Sequence, residues 1–231
     1  MTKILRISSA LLYALSLSFL ALYIYLEAVA VTRAHIRLII LGAFCVLGYT
    51  ASRLFSKTLK SDDAKKTMKI TFSVFFAAYV YLLISLVLFD KYFGRIGISA
   101  FVDVTRDNFT AYFNTSVNII PFKTVLDFIS GVFSGTVSVR AFVINIVGNL
   151  VAFAPFAFFL PLLFEKMRKF KSFLFSMICI VSTVEILQLL LLTGACDIDD
   201  LILNTFGACA LFFVLRTRRI KSLVLKMVCF E

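Results

Sequence analysis

The sequence predicts an all-α polytopic membrane protein: a transmembrane helical bundle of about six spans with both termini in the cytoplasm. Three observations carry this. First, 61% of the 231 residues are hydrophobic, only 16% are charged, and mean hydropathy is +0.99. A soluble domain of this length cannot bury so much apolar surface. Second, the apolar residues fall in runs long enough, or nearly so, to cross about 30 Å of hydrocarbon. These runs are approximately 7–31, 36–51, 69–89, 139–164, 171–193 and 200–215. Third, the net charge of +11 is sorted by side. Seventeen of the 24 Lys and Arg residues lie at Lys3 and Arg6, in 52–69, in 165–171 and from Arg216 onward, and the other seven lie in the alternate segments. The positive-inside rule then places both termini in the cytoplasm. Topology accounts for the basic excess, with contacts to anionic lipid heads alongside it, and no nucleic-acid partner is expected.

The first run is longer than the roughly 7–15 apolar residues of a signal-peptide core. No small-x-small site precedes a polar mature start, so a retained helix is expected. The second run, 36–51, rises only about 24 Å, unless His35 or Arg53 extends it by snorkelling. The polar linker 52–68 reads as a cytoplasmic loop, with Asp62 and Asp63 suited to cap the third span. The segment 90–138 is long and outside, yet too apolar for a disordered loop. Its piece 121–133 is expected either as a short helix in the outer interface or as a lid that re-enters the protein. Cysteines add little, since Cys196 is the only one outside and has no loop partner for a disulfide.

The chemistry lies in the last three spans. Glu185 sits in the middle of the run 173–192. A carboxylate there costs about 2.5–3.5 kcal/mol on insertion scales, which makes it a candidate functional group. Gln188 follows one turn later on the same face. In the fourth span Asn145 and Asn149 are four apart and read as sharing a face. Gly148 beside them reads as a point of close helix approach, and Pro155 frees a carbonyl near residue 151. The sixth span opens with Asp197-Ile-Asp199-Asp200 and continues to Asn204 and Gly207. At about 1.5 Å per residue, these amides and acids all fall in the outer half of the bilayer. Three separate stretches of chain thus bring polar groups to one depth. The plainer alternative is interhelical hydrogen bonding, favoured here for Asn145 and Gln188, and a simple N-cap for Asp197. Function is favoured for Glu185, Asp200 and Asn149. Clustered carboxylates such as Asp197 and Asp199 also suit a divalent cation, Mg²⁺ or Ca²⁺, although their spacing matches no defined metal loop.

In order along the chain, Asn118-Ile-Ile-Pro121-Phe122, Asn145-Ile-Val-Gly-Asn149, Glu185-Ile-Leu-Gln188 and Asp197-Ile-Asp-Asp200-Leu-Ile-Leu-Asn204-Thr-Phe-Gly207 resemble the VanZ-like family. These are membrane proteins named for a teicoplanin-resistance protein of Gram-positive bacteria. The resemblance covers roughly 70–216. It implies a VanZ-like membrane domain over 69–231; the two N-terminal helices and basic linker over 1–68 are read from the hydropathy pattern and lie outside it. It further implies a cell-envelope role in the cell membrane and, in some members, reduced glycopeptide susceptibility. Asn118 enters the candidate set with it. Many members carry an arginine shortly before the acidic run, where this chain has Thr193-Gly-Ala-Cys196. Lys123, Arg106 and Arg140 are the cations that would have to replace it.

Two functions follow as expectations. In one, Glu185 is a general acid or base, Asp200 orients it, and Asn145, Asn149, Gln188 and Asn204 hold the head of an outer-leaflet lipid or lipid-linked cell-wall precursor. In the other, the protein binds such a molecule or a partner without chemistry and limits antibiotic access. A transporter is disfavoured, because no inverted repeat is visible.

Overall fold

The computed structural model describes residues 2–29, 34–89, 110, 113, 114 and 116–228. Nearly all of these are helical. Among the described residues, six helices are long and apolar enough to cross a membrane: Thr2–Leu26, His35–Ser56, Ser61–Phe89, Val139–Leu163, Phe170–Leu190 and Ile198–Arg216. At most a third of each is buried within the chain. Much of the remaining apolar surface is therefore left for contact with lipid. The second span exceeds the expected sixteen residues because the helix continues past both ends of the apolar run, through His35 and through Arg53. Arg106 and the first part of the outer segment, 90–109, lie outside the described residues.

The chain divides into two compact units. The first comprises residues 1–82 with 221–231 and contains α1 (Thr2–Ala28), α2 (Ala34–Ser56) and most of α3 (Ser61–Ile84). Small residues let α2 approach its neighbours, with Gly48 close to both Ser16 and Phe75. Buried hydroxyls are bonded across the helices: Ser52 Oγ to Tyr13 at 2.8 Å and to Thr71 at 2.7 Å, and Ser16 to the Phe44 carbonyl at 2.9 Å. Asp62 and Asp63 lie inside the first turn of α3, where they face the positive end of the helix dipole.

The second unit comprises residues 83–220. The third span ends here in a π-helical turn, Ser85–Phe89. Strand β1 (Val117–Asn118) and helix α4 (Lys123–Phe133) follow. The fourth span is broken into α5 (Val139–Phe142), a π-helical turn (Val143–Val147), α6 (Gly148–Ala152) and α7 (Phe156–Leu163). Pro155 explains the second break, since it cannot donate to residue 151. The Val151 carbonyl instead accepts from Ala154 at 3.1 Å. Helix α8 (Phe170–Leu190), strand β2 (Cys196–Asp197) and helix α9 (Ile198–Arg216) complete the unit. The parallel pairing of Val117 with Cys196 and Asn118 with Asp197 was not expected. Two residues are too few to give a strand periodicity.

Candidate functional site

Helices α8 and α9 change character along their length. Toward one end their buried residues are apolar: Phe173, Met177 and Val181 on α8, and Ala208 and Phe212 on α9. The Phe173 and Phe212 rings stack there at 4.5 Å. Toward the other end the buried residues are Glu185 and Gln188 on α8 and Asp199 and Asn204 on α9, with Asp197 just ahead. Burying so many polar groups is tolerable only where they are hydrogen-bonded or serve a ligand.

Glu185 is 6% exposed, and its Oε2 accepts the Asp197 backbone N–H at 3.1 Å. Asp200 Oδ1 accepts from Asn149 Nδ2 on α6. The fourth, fifth and sixth spans therefore meet through Asn149, Glu185 and the start of α9. Asn204 stands one turn beyond Asp200 and donates back to its carbonyl at 2.7 Å. Gln188 stands one turn beyond Glu185 and donates to the Val87 carbonyl at 3.2 Å, within the first π-helical turn.

Both amides leave an oxygen over. Gln188 Oε1 and Asn204 Oδ1 are buried, with no donor in reach among the described residues, and each residue is only 3% exposed. Rotating either amide would set its oxygen against a carbonyl oxygen, so the carbonyl partners fix the orientation. Asn145 Oδ1 is likewise buried without a donor. Asn145 lies inside the π-helical turn. Hydrogen bonds there span five residues, so the four-residue spacing to Asn149 no longer marks a single turn.

Asp197 and Asp199 do other work. Asp197 caps α9, accepting from Asp199 N at 2.9 Å, from Asn118 Nδ2 at 2.9 Å and from Thr124 Oγ1 at 2.5 Å. Asp199 is 1% exposed, and its two oxygens accept from the backbone N–H groups of Phe122 and Val125. These N–H groups open α4, whose first residue is preceded by Phe122, a side chain that cannot cap. Asp199 thus caps α4 from another helix and sits at two helix N-termini at once. It also holds Phe122 at φ 66, a left-handed conformation that costs a bulky residue about 1–2 kcal/mol. Asn118 is part of the same knot, bonded to Thr124 at 3.1 Å and to the Ile120 N–H at 3.1 Å. This donor set does not fit a divalent cation at Asp197 and Asp199. Their oxygens serve protein donors, and among the described residues no three His, Cys, Asp or Glu side chains gather as metal ligands. Thr124 has no signal in the sequence beyond a turn at Pro121.

Gly207, not Gly148, marks the close helix approach. Gly148 is exposed and has open space around it. A Cβ on Gly207 would overlap the Leu150 carbonyl oxygen and lie 2.6 Å from its carbon. Helices α9 and α6 are thus in backbone contact beside the Asn149–Asp200 bond. Lys123 and Arg140 are both exposed, at the start of α4 and in α5 respectively.

Cys196, beside the site, reports on its charge. Burial pushes the thiol above its ordinary pKa, and the carboxylates of Glu185 and Asp197 push it further. A raised pKa leaves less thiolate at a given pH, so alkylation is slowed. With Cys196 as sole cysteine, Glu185→Gln should therefore move the maleimide rate profile to lower pH and speed the reaction at fixed pH. An unchanged profile would show that Glu185 carries no charge near this thiol.

Six apolar helices of membrane-spanning length, with a buried carboxylate–amide cluster inside the second unit, define a multi-pass membrane protein with a buried polar site. The model of the VanZ/LLP1 family matches residues 75–220, more than half of the chain and all of this cluster. The chain belongs to that family. Comparison with curated proteins and with solved structures gave no match.

Proposed function

We propose that this protein works in the envelope of the cell, in the cell membrane, with its termini in the cytoplasm and its polar site toward the outer leaflet. There it takes the polar head of an envelope lipid or lipid-linked cell-wall precursor. Glu185 acts on the head group as general acid or base, with Asp200 held by Asn149 beside it. Asn118, Asp197 and Asp199 shape the mouth of the site and do not touch the substrate. Linkage to glycopeptide resistance, teicoplanin included, would follow from the altered lipid or precursor.

The observation that supports this most is the pair of buried amide oxygens, Gln188 Oε1 and Asn204 Oδ1. Each lies one turn from a site carboxylate. A buried acceptor without a donor costs about 1–3 kcal/mol, an expense that a ligand bearing hydroxyl or ammonium donors removes. Glu185 accepting the Asp197 N–H favours a second reading, in which the same pocket binds its ligand without chemistry.

Glu185→Gln separates the two. The glutamine oxygen can still accept from Asp197, so the fold should survive. Loss of a general acid or base removes about 10²–10⁴-fold in rate. Lipids and wall precursors would be compared by mass spectrometry in cells making either form at equal level. A species made only by the wild type supports catalysis. Equal profiles with a difference in glycopeptide susceptibility support binding. Equal profiles and equal susceptibility would remove both.

A further inference from the structure

Helix α4 exposes an unusual face. Leu126, Ile129 and Phe133 recur at spacings of three and four, one continuous stripe on the helix, and Phe122 stands immediately before it. All three stripe residues are exposed, Leu126 by 61% and Phe133 by 87%, and Ile119, Ile120 and Phe122 just ahead of the helix are exposed too. Lys123, Asp127 and Ser130 form a polar flank, and Thr124 and Gly131 lie on the back, where Gly131 is buried against Val137. The helix is not loosely attached. Asp199 holds its first turn, and Asp199 is the second residue of a membrane span. The stripe is therefore fixed at the level where α9 begins, at the edge of the hydrocarbon. At its other end α4 leads into α5, whose span also exposes Val139 and Val143.

We infer that α4 is an interfacial anchor whose stripe sinks into one lipid leaflet. The bilayer is the occupant that fits. The stripe is large and apolar, flanked by polar residues, tied to a span mouth and continuous in sequence with lipid-covered surface. Held this way, α4 keeps the mouth of α9 at head-group depth, so a ligand reaches the site sideways from the leaflet. The anchor does not depend on what the site binds.

The chain contains no tryptophan, so Leu126→Trp and Phe133→Trp each supply a single fluorophore. The full-length protein would be placed in phosphatidylcholine vesicles containing lipids brominated at different depths. Lipids brominated high on the acyl chain should quench both variants by more than half, and those brominated near the chain end should quench less. Ser130→Trp on the flank should be quenched by aqueous iodide, and Phe173→Trp in the core by neither. Iodide quenching without bromolipid quenching at 126 and 133 would overturn the anchor in favour of a water-facing lid. Protection from both quenchers would overturn it in favour of a protein cover. Phe133 makes little contact with the core, so that variant keeps the test valid if Leu126→Trp elutes as an aggregate.

Discussion

Gly207→Ala should destabilise the second unit by about 3 kcal/mol or more, at or beyond the usual range for overpacking. The added methyl would meet the backbone of Leu150, not a side chain that can rotate away. Helices α9 and α6 would have to separate. The Asn149–Asp200 hydrogen bond, which bridges the same two helices, would stretch with them. Against this, alanine gains only about 0.5–1 kcal/mol over glycine from helix propensity. For a chain of this size the net loss lowers Tm by about 5–10 °C, measurable by thermal unfolding in detergent. Gly148→Ala is the matched control. It meets open space, keeps the propensity gain, and should leave Tm unchanged or slightly raised. Equal Tm values for the two variants would contradict the backbone contact.

That contrast also marks where sequence reasoning stops. The spans were legible because an apolar run of the right length has one common fate. The polar cluster was legible because carboxylates and amides in such runs stand out against their neighbours. Which side of a helix faces which neighbour was not legible. A regular helix would have put Gly148 between Asn145 and Asn149 on a packed side. The π-helical turn at Val143–Val147 changes the rotation of everything around it, and nothing in Val-Ile-Asn-Ile-Val announces such a turn. Hydropathy alone makes the second span too short, because polar residues bound its apolar run, yet the helix continues through His35 at one end and Arg53 at the other. The division of labour among the acids was hidden for a related reason. Asp197, Asp199 and Asp200 are near neighbours in sequence but point to three different partners: Asn118 with Thr124, the first turn of α4, and Asn149. Those partners come from segments up to about 80 residues away, and spacing along the chain cannot show long-range pairing of that kind.

Asp199→Ala should have the other large effect, and it should be one of structure. Removing the carboxylate leaves the Phe122 and Val125 N–H groups without their acceptors. It also leaves the left-handed turn at Phe122 unsupported. A lost acceptor for a buried donor costs about 1–3 kcal/mol; the two part-buried donors, less about 1–2 kcal/mol of released strain, come to roughly 1–4 kcal/mol. Much of this should appear as local opening of α4, because the strand pairing and the Asn118–Asp197 bond still hold β1 to β2. Hydrogen exchange should therefore accelerate across 120–128 by a factor of ten or more, about 1.4 kcal/mol per factor of ten. Protection in the α8 core around Met177 and Val181 should change much less. Asp199→Asn keeps one acceptor oxygen and should fall between the two. The pattern is opposite to that expected of Glu185→Gln, which should leave exchange near wild type and remove function. If Asp199→Ala leaves the amides of Phe122 and Val125 as protected as before, the cap is held by something other than Asp199. The coupling between the span mouth and the interfacial helix would then have to be sought in Asp197 and Asn118.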